Sequence, residues 1–475
     1  MAPKVYDVVI LGAGLAGLAC ADHILSENPG HQVIILEKNK HIGGLAATLR
    51  YRGFRYDLSP HRWYTKNAQL NSWLEKLMAD QLLWVNKTTP MYQFGKFFNY
   101  PVEILDVIKK IGLFKSAAML LSFIGVKIQH LILPRPIRTM EDAYKTRFGS
   151  VLYRWFNLEY NEKLWGRGGC RSMSADFVNQ RVKNLSITSA IANALGINRH
   201  QVISLVPRFR YPKLGVGQIS HRLLKRLTAN GGSCLLDQSI TSISHTNGLY
   251  RITTTKGRFF ARHLISSVPL PVLTSLLCPG HRVNAQAHRL EFIDQKIVVL
   301  FAKEAPLTAF TWLYVHPPHI KTFRFLETAN WSSFMSPSGK TSLVFEYPYQ
   351  PGDPVSQLTS RQLINTTIND FLRYFAPAGV SRHHLINARV HTVFQAYPKY
   401  NLTYKTYLPK IKNYLRSHHP KLQLIGRNGL FHYNNMDHSI LTGILAAKNF
   451  LAGNSIYDLD QVNNDAEYVE EVRVP

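Results

Sequence analysis

The sequence predicts an α/β protein in which a three-layer, Rossmann-like domain carries an inserted α+β domain. Three observations predict it. Residues 6–37 read as strand, glycine-rich turn, helix and second strand. A mostly helical stretch follows, and β-type runs resume only after Gly231. A glycine-rich loop and a small-residue helix, Ile440–Leu451, then return near the C-terminus. At roughly 150 residues per domain, 475 residues already imply more than one.

The first unit is the most specific. Tyr6–Leu11 is a short β-branched run, Gly12-Ala-Gly14-Leu15-Ala16-Gly17 a turn, and Leu18–Leu25 a stretch of helical spacing. Gly12 permits the tight turn, Gly14 lets the backbone approach a pyrophosphate, and Gly17 lets the helix pack closely on the strand, while the helix N-terminus offers free N–H donors. Val33–Leu36 is the second strand, and Glu37 after it sits where a carboxylate binds ribose hydroxyls and repels a 2′-phosphate. That implies FAD or NAD rather than NADP. A second glycine pair, Gly43-Gly44, brings backbone to the ligand again. Gly426-Arg427-Asn428-Gly429 then precedes Tyr433 and the helix containing Thr442-Gly443. A helix N-terminus there suits the negative charge of a reduced flavin, which selects FAD. Leu15, Ala16, Lys38, Leu45, Met436 and Asp437 complete the expected cofactor contacts.

In the stretch from Leu70 to His200, Ala117–Val126 is the most apolar run, closed by Lys115 and Lys127. Its length is half the ~20 residues a bilayer span needs, so a buried helix is expected, with shallow contact on an anionic membrane as the alternative. Between Asp176 and Asp237 stand nine Lys or Arg, among them Lys183, Arg199 and Arg210, and no acid. This reads as a solvated face or an anion-binding surface. Further strands are expected at Ser239–His245, Tyr250–Thr255, Leu264–Val268, Lys296–Phe301, Thr322–Leu326 and Ser342–Tyr347. The resulting division is 1–60, 206–270 and 396–457 for the cofactor domain, 61–205 and 271–395 for the substrate domain, and an acidic, solvated tail at 458–475.

The net charge of +27 concerns partners rather than fold. It raises nucleic-acid binding, but no nucleic-acid motif accompanies it. Four widely spaced cysteines and the lack of a signal-peptide pattern suit a reducing, cytoplasmic setting, and the histidines show no metal-binding spacing.

With both ends read, the chain resembles the FAD-dependent amine oxidase and protoporphyrinogen oxidase superfamily, and within it the UDP-galactopyranose mutase branch, to about residue 450. Ile240, near the strand ending Leu264-Ile-Ser-Ser-Val-Pro269, is then implied to lie by the adenine. Ser59-Pro60-His61-Arg62-Trp63-Tyr64 is similar to the mutase motif whose first histidine lies by the flavin ring; Tyr64 replaces the second histidine. The resemblance implies that Trp165, in Tyr160–Gly166, walls the substrate pocket. It places Arg210 near the mobile-loop arginine that grips a diphosphate, and assigns Arg427 and Tyr433 to the C-terminal signature. Arg427 is counted with the cofactor contacts, and Arg324 and Tyr397 join Trp165, Arg210 and Tyr433 as substrate contacts.

There are departures. Asn435 stands where the mutase signature has an acid, though Asp437 is kept, and Ile293 replaces the second diphosphate arginine. Lys296 sits where oxidases of the superfamily place a lysine that holds a water near flavin N5, so it joins His61 as a catalytic candidate. Two activities follow: redox-neutral rearrangement of a nucleotide-linked or polysaccharide-precursor sugar through reduced flavin, or hydride removal from an amine or apolar substrate. The first implies an anionic small-molecule partner.

Overall fold

The computed structural model describes residues 4–100, 104–181 and 207–463. Lys183 and Arg199 of the basic stretch, and the chain beyond residue 463, lie outside the described residues.

Two seven-stranded sheets organise the molecule. The central strand of the first, β1 (Val5–Leu11), pairs in parallel with Gly257–Ser266 on one side and with β2 (Val33–Leu36) on the other. Its Val8–Leu11 segment is fully buried, as expected for a parallel strand covered on both faces. Ser233–Leu235 extends this sheet beyond β2, Ile240–Thr246 and Leu249–Thr254 lie beyond Gly257–Ser266, and Leu422–Leu424 also pairs with Gly257–Ser266. The strand expected at Leu264–Val268 is therefore the end of a longer one, Gly257–Ser266.

The helix α1 (Leu15–Glu27) is sandwiched against the C-terminal helix Met436–Ala452. Glycine sets their distance: a Cβ on Gly443 would lie 2.2 Å from the Ala16 carbonyl oxygen. On Gly17 it would lie 2.1 Å from that of Gly12, so α1 starts hard against the turn.

The second sheet runs in the order Leu385–Lys399, Glu291–Ala302, Thr341–Tyr349, Arg324–Glu327, Trp312–Val315, Met91–Gln93 and Lys96–Phe98. The last two form a hairpin inside the stretch expected to be helical. Both of its turn residues, Phe94 and Gly95, have positive φ, 53° and 73°, which suits the right-handed twist of a two-residue hairpin. Strands of three residues are too short for alternation to show in sequence. Leu385–Lys399 continues past the expected boundary at 396, and Arg208–Pro212 pairs with Leu82–Asn86 of the inserted segment.

Two further expectations are corrected. The run Ala117–Val126 is part of a longer helix, Leu113–Ile132, in which only Met119 and Phe123 are buried. The tail does not begin as a solvated segment at Asp458: Leu459 and Val462 are buried, and Asp460 pairs with Lys412 and Arg416.

Candidate active site

Between the two sheets lies a cavity of about 840 Å³, and most of the predicted site residues line it. At one end are Gly12, Gly14, Leu15 and Ala16 of the turn, faced by Gly43, Gly44 and Leu45. The second glycine pair is strapped to the first, the Gly43 amide donating to the Ala13 carbonyl at 2.8 Å. A Cβ on Gly14 would meet no protein atom within 4 Å, which leaves backbone exposed to a ligand. Glu37, buried beside Lys38, accepts the Ala13 amide at 2.8 Å through Oε2 and the Asn39 amide at 2.9 Å through Oε1. The carboxylate thus braces the glycine turn it was expected to complement. Ile240 lines the same end with Gln238.

Further along, His61, Gly426, Arg427 and Met436 line the cavity, and the N-terminus of helix Met436–Ala452 opens on it through Asn435 and Met436. The buried Nδ1 of His61 has no hydrogen-bond partner among the described residues. Burial first, then the charges of Arg427 and Arg324, push the imidazole down to about 3, so it is neutral near pH 7.

The remaining wall is aromatic and cationic. Arg324 holds the buried Glu346 with two hydrogen bonds, Nε to Oε1 at 2.7 Å and Nη2 to Oε2 at 2.8 Å, and Nη2 also reaches Tyr397 Oη at 3.4 Å. Burial opposes its charge, but Glu346 outweighs that and holds the guanidinium well above its ordinary value. Tyr397 and Tyr433 stack with ring centroids 5.5 Å apart. Arg427 lies 5.4 Å from the first ring and 5.3 Å from the second, anchored by Nε on the Asn434 carbonyl and Nη1 on that of Ala396.

Five predicted residues lie elsewhere. Gly17 supports the turn from behind, and Asp437 is buried in the first helical turn without lining the cavity. Trp165 is fully buried behind Phe177 and Tyr433, which line the cavity in its place. Arg210 is outside it: on Arg208–Pro212 alternation turns Phe209 and Tyr211 inward and Arg210 outward, where it pairs with Glu75 and lies 4.2 Å from the centre of the Trp84 ring. Lys296 is turned away by the same rule. Its Nζ donates to the carbonyls of Val355, Ser356 and Leu358 at 2.9–3.1 Å, capping the short helix Pro354–Gln357, while its neighbour Gln295 lines the cavity.

Sequence reasoning missed Gln295, Phe177 and Asn463. Strand alternation could have found the first. The third sits in the supposed tail, donating to the Tyr433 carbonyl at 3.2 Å.

The family described as flavin containing amine oxidoreductase matches residues 15–451. The chain belongs to this family. FAD is its cofactor, and the glycine cradle, the exposed backbone at Gly14 and the unpartnered nitrogen of His61 fit such a ligand. Among solved structures, the chain superposes on reduced UDP-galactopyranose mutase with a TM-score of 0.84 at 20% identity, covering 98% of this chain and 99% of that one. For cyclohexylamine oxidase from Brevibacterium oxydans the TM-score is 0.67 at 15% identity, covering 95% and 99%. These likenesses establish a shared fold. A 4,4′-diapophytoene desaturase from Staphylococcus aureus is 43% identical over 53 residues, 11% of this chain and 10% of the desaturase. The chain is an FAD enzyme of the oxidoreductase superfamily.

Proposed function

We propose that the enzyme rearranges a nucleotide-linked sugar, such as a polysaccharide precursor, at reduced FAD, as the name of the mutase it superposes on suggests. The charge of the cavity wall carries this reading. Among the described lining residues Lys38, Arg62, Lys87 and Arg427 stand against a single carboxylate, Glu37, while the charge of Arg324 is balanced by Glu346 behind the wall. Such a field attracts a diphosphate and opposes an ammonium substrate. Guanidinium groups also match phosphate geometry.

The flavin, when bound, supplies the reacting nitrogen. The chain's residues do the rest. Arg427 and the stacked Tyr397–Tyr433 pair orient the diphosphate, and Tyr160, Phe323 and Trp312 keep water from the reacting end. His61, neutral at physiological pH, offers a hydrogen bond at Nδ1 and is no general acid there.

Equilibrium binding to the flavoprotein tests the substrate class. UDP-sugars are expected to bind and Arg427→Ala to weaken them by about 1.5–3 kcal/mol, the range for a hydrogen bond to a charged group; preferential binding of an alkylamine would sink the reading. The wall of Phe177, Tyr100 and Tyr314 favours a second reading, hydride removal from an apolar polyene. In that case the oxidised flavin bleaches with substrate.

A further inference from the structure

The helix Leu113–Ile132 is apolar on two opposite sides. One side seats it. Met119 and Phe123 are buried there, Met119 in a cluster with Met91, Phe98, Val107 and Phe156. The following helix, Met140–Leu152, presses in at Gly149, where a Cβ would lie 2.7 Å from the Phe123 backbone.

The other side faces outward. Phe114 is 95% exposed, Leu131 84%, Ile132 70% and Leu121 68%, and Ile124 and Ile128 are exposed between them. At 100° per residue these six form one stripe roughly 100° wide. Monomeric soluble proteins rarely leave an apolar strip of this kind uncovered.

Charge says what covers it. From Val107 to Met140 the sequence contains no Asp or Glu but six Lys or Arg. Of these, Lys109, Lys115, Lys127, Arg135 and Arg138 are exposed. No described helix is long and apolar enough to cross a membrane. A helix with an apolar face and basic flanks that does not span instead lies in the headgroup region, where anionic lipids add attraction for each Lys or Arg.

We propose that Leu113–Ile132 docks the enzyme on the surface of an anionic bilayer, with its outward stripe at the headgroup–acyl boundary. The same cluster that seats the helix packs against Tyr314, which lines the cavity, and Tyr100 lies beside it with ring centroids 5.2 Å apart. Docking therefore brings the aromatic side of the cavity close to the lipid surface, whichever substrate it takes.

Co-sedimentation of the full-length flavoprotein with phosphatidylcholine vesicles, with and without phosphatidylglycerol, tests this. The protein should pellet with the anionic vesicles and be released by salt. Leu121→Glu with Ile128→Glu should weaken binding by at least about tenfold while flavin content is retained, since both side chains already face solvent. A separate variant, Lys115→Glu with Lys127→Glu, should abolish the preference for phosphatidylglycerol. Failure of the parent protein to pellet, or equal pelleting of the Leu121/Ile128 variant, overturns the proposal. So does light scattering that shows a parent dimer converted by that variant to monomer, because the stripe would then be covered by a second copy of the chain.

Discussion

Arg324 grips the fully buried carboxylate of Glu346 through two hydrogen bonds, at 2.7 and 2.8 Å, from the neighbouring strand of the same sheet. The pair is tied into its surroundings by Ser59 and Gln295, which both donate to Glu346 Oε2. Removing only the cation strands a carboxylate inside the protein, which costs about 3–5 kcal/mol. Arg324→Met should therefore lower the thermal midpoint strongly, and Arg324→Met with Glu346→Gln should recover much of the loss. Equal midpoints for the single and double variants would show that the charge pairing is not what matters.

Gly443 meets the Ala16 carbonyl where no side chain fits. Gly443→Ala should push Met436–Ala452 off α1, costing about 1–3 kcal/mol as an overpacked contact. Because both helices carry cavity-lining residues at their N-termini, bound flavin per chain should fall with it, as read by the visible spectrum of the purified protein.

Lys296 holds the three carbonyls that end the helix Pro354–Gln357. The expected result for Lys296→Met is a loss of about 1.5–3 kcal/mol, the range for hydrogen bonds to a charged group, with flavin reduction and reoxidation rates unchanged. A large change in reoxidation by oxygen would restore the flavin-adjacent role that its sequence position suggested.

His61 is neutral in the folded protein, its value pushed down to about 3 by burial and then by Arg427 and Arg324, from an ordinary 6.5. A histidine whose folded value lies below its unfolded value contributes stability that is present above about pH 6.5 and lost as the pH falls toward 3. The thermal midpoint of His61→Asn should fall less than that of the parent on acidification through this window. His316, pushed to about 3 by burial and then by Lys163, keeps part of the acid sensitivity in both proteins. Parallel curves for the two proteins would contradict the assignment.

The cofactor half was legible because its signals are local. A strand, three glycines, a helix and Glu37 interact within about thirty residues of sequence, and each element's geometry follows from its neighbours. The substrate half depends on long-range register. Arg210 and Lys296 carry the right chemistry, but on a strand one position decides which face a side chain takes, and both fall on the wrong face. Trp165 failed differently, since motif position places the helix Glu159–Trp165 correctly while Phe177, from another segment, stands between the indole and the cavity. The helix Leu113–Ile132 has enough apolar residues to predict burial, and composition alone does not distinguish a face turned to the core from one turned outward.

On the proposed function, the cationic cavity of this FAD enzyme serves a redox-neutral reaction on a nucleotide-linked sugar. Incubating oxidised and dithionite-reduced enzyme separately, without oxygen, with a panel of nucleotide sugars tests it most directly. Only the reduced enzyme is expected to convert a nucleotide sugar to an isomer of equal mass, with no net change in flavin absorbance after turnover. An inert reduced enzyme, together with bleaching of the oxidised flavin by a polyene or amine, would contradict it.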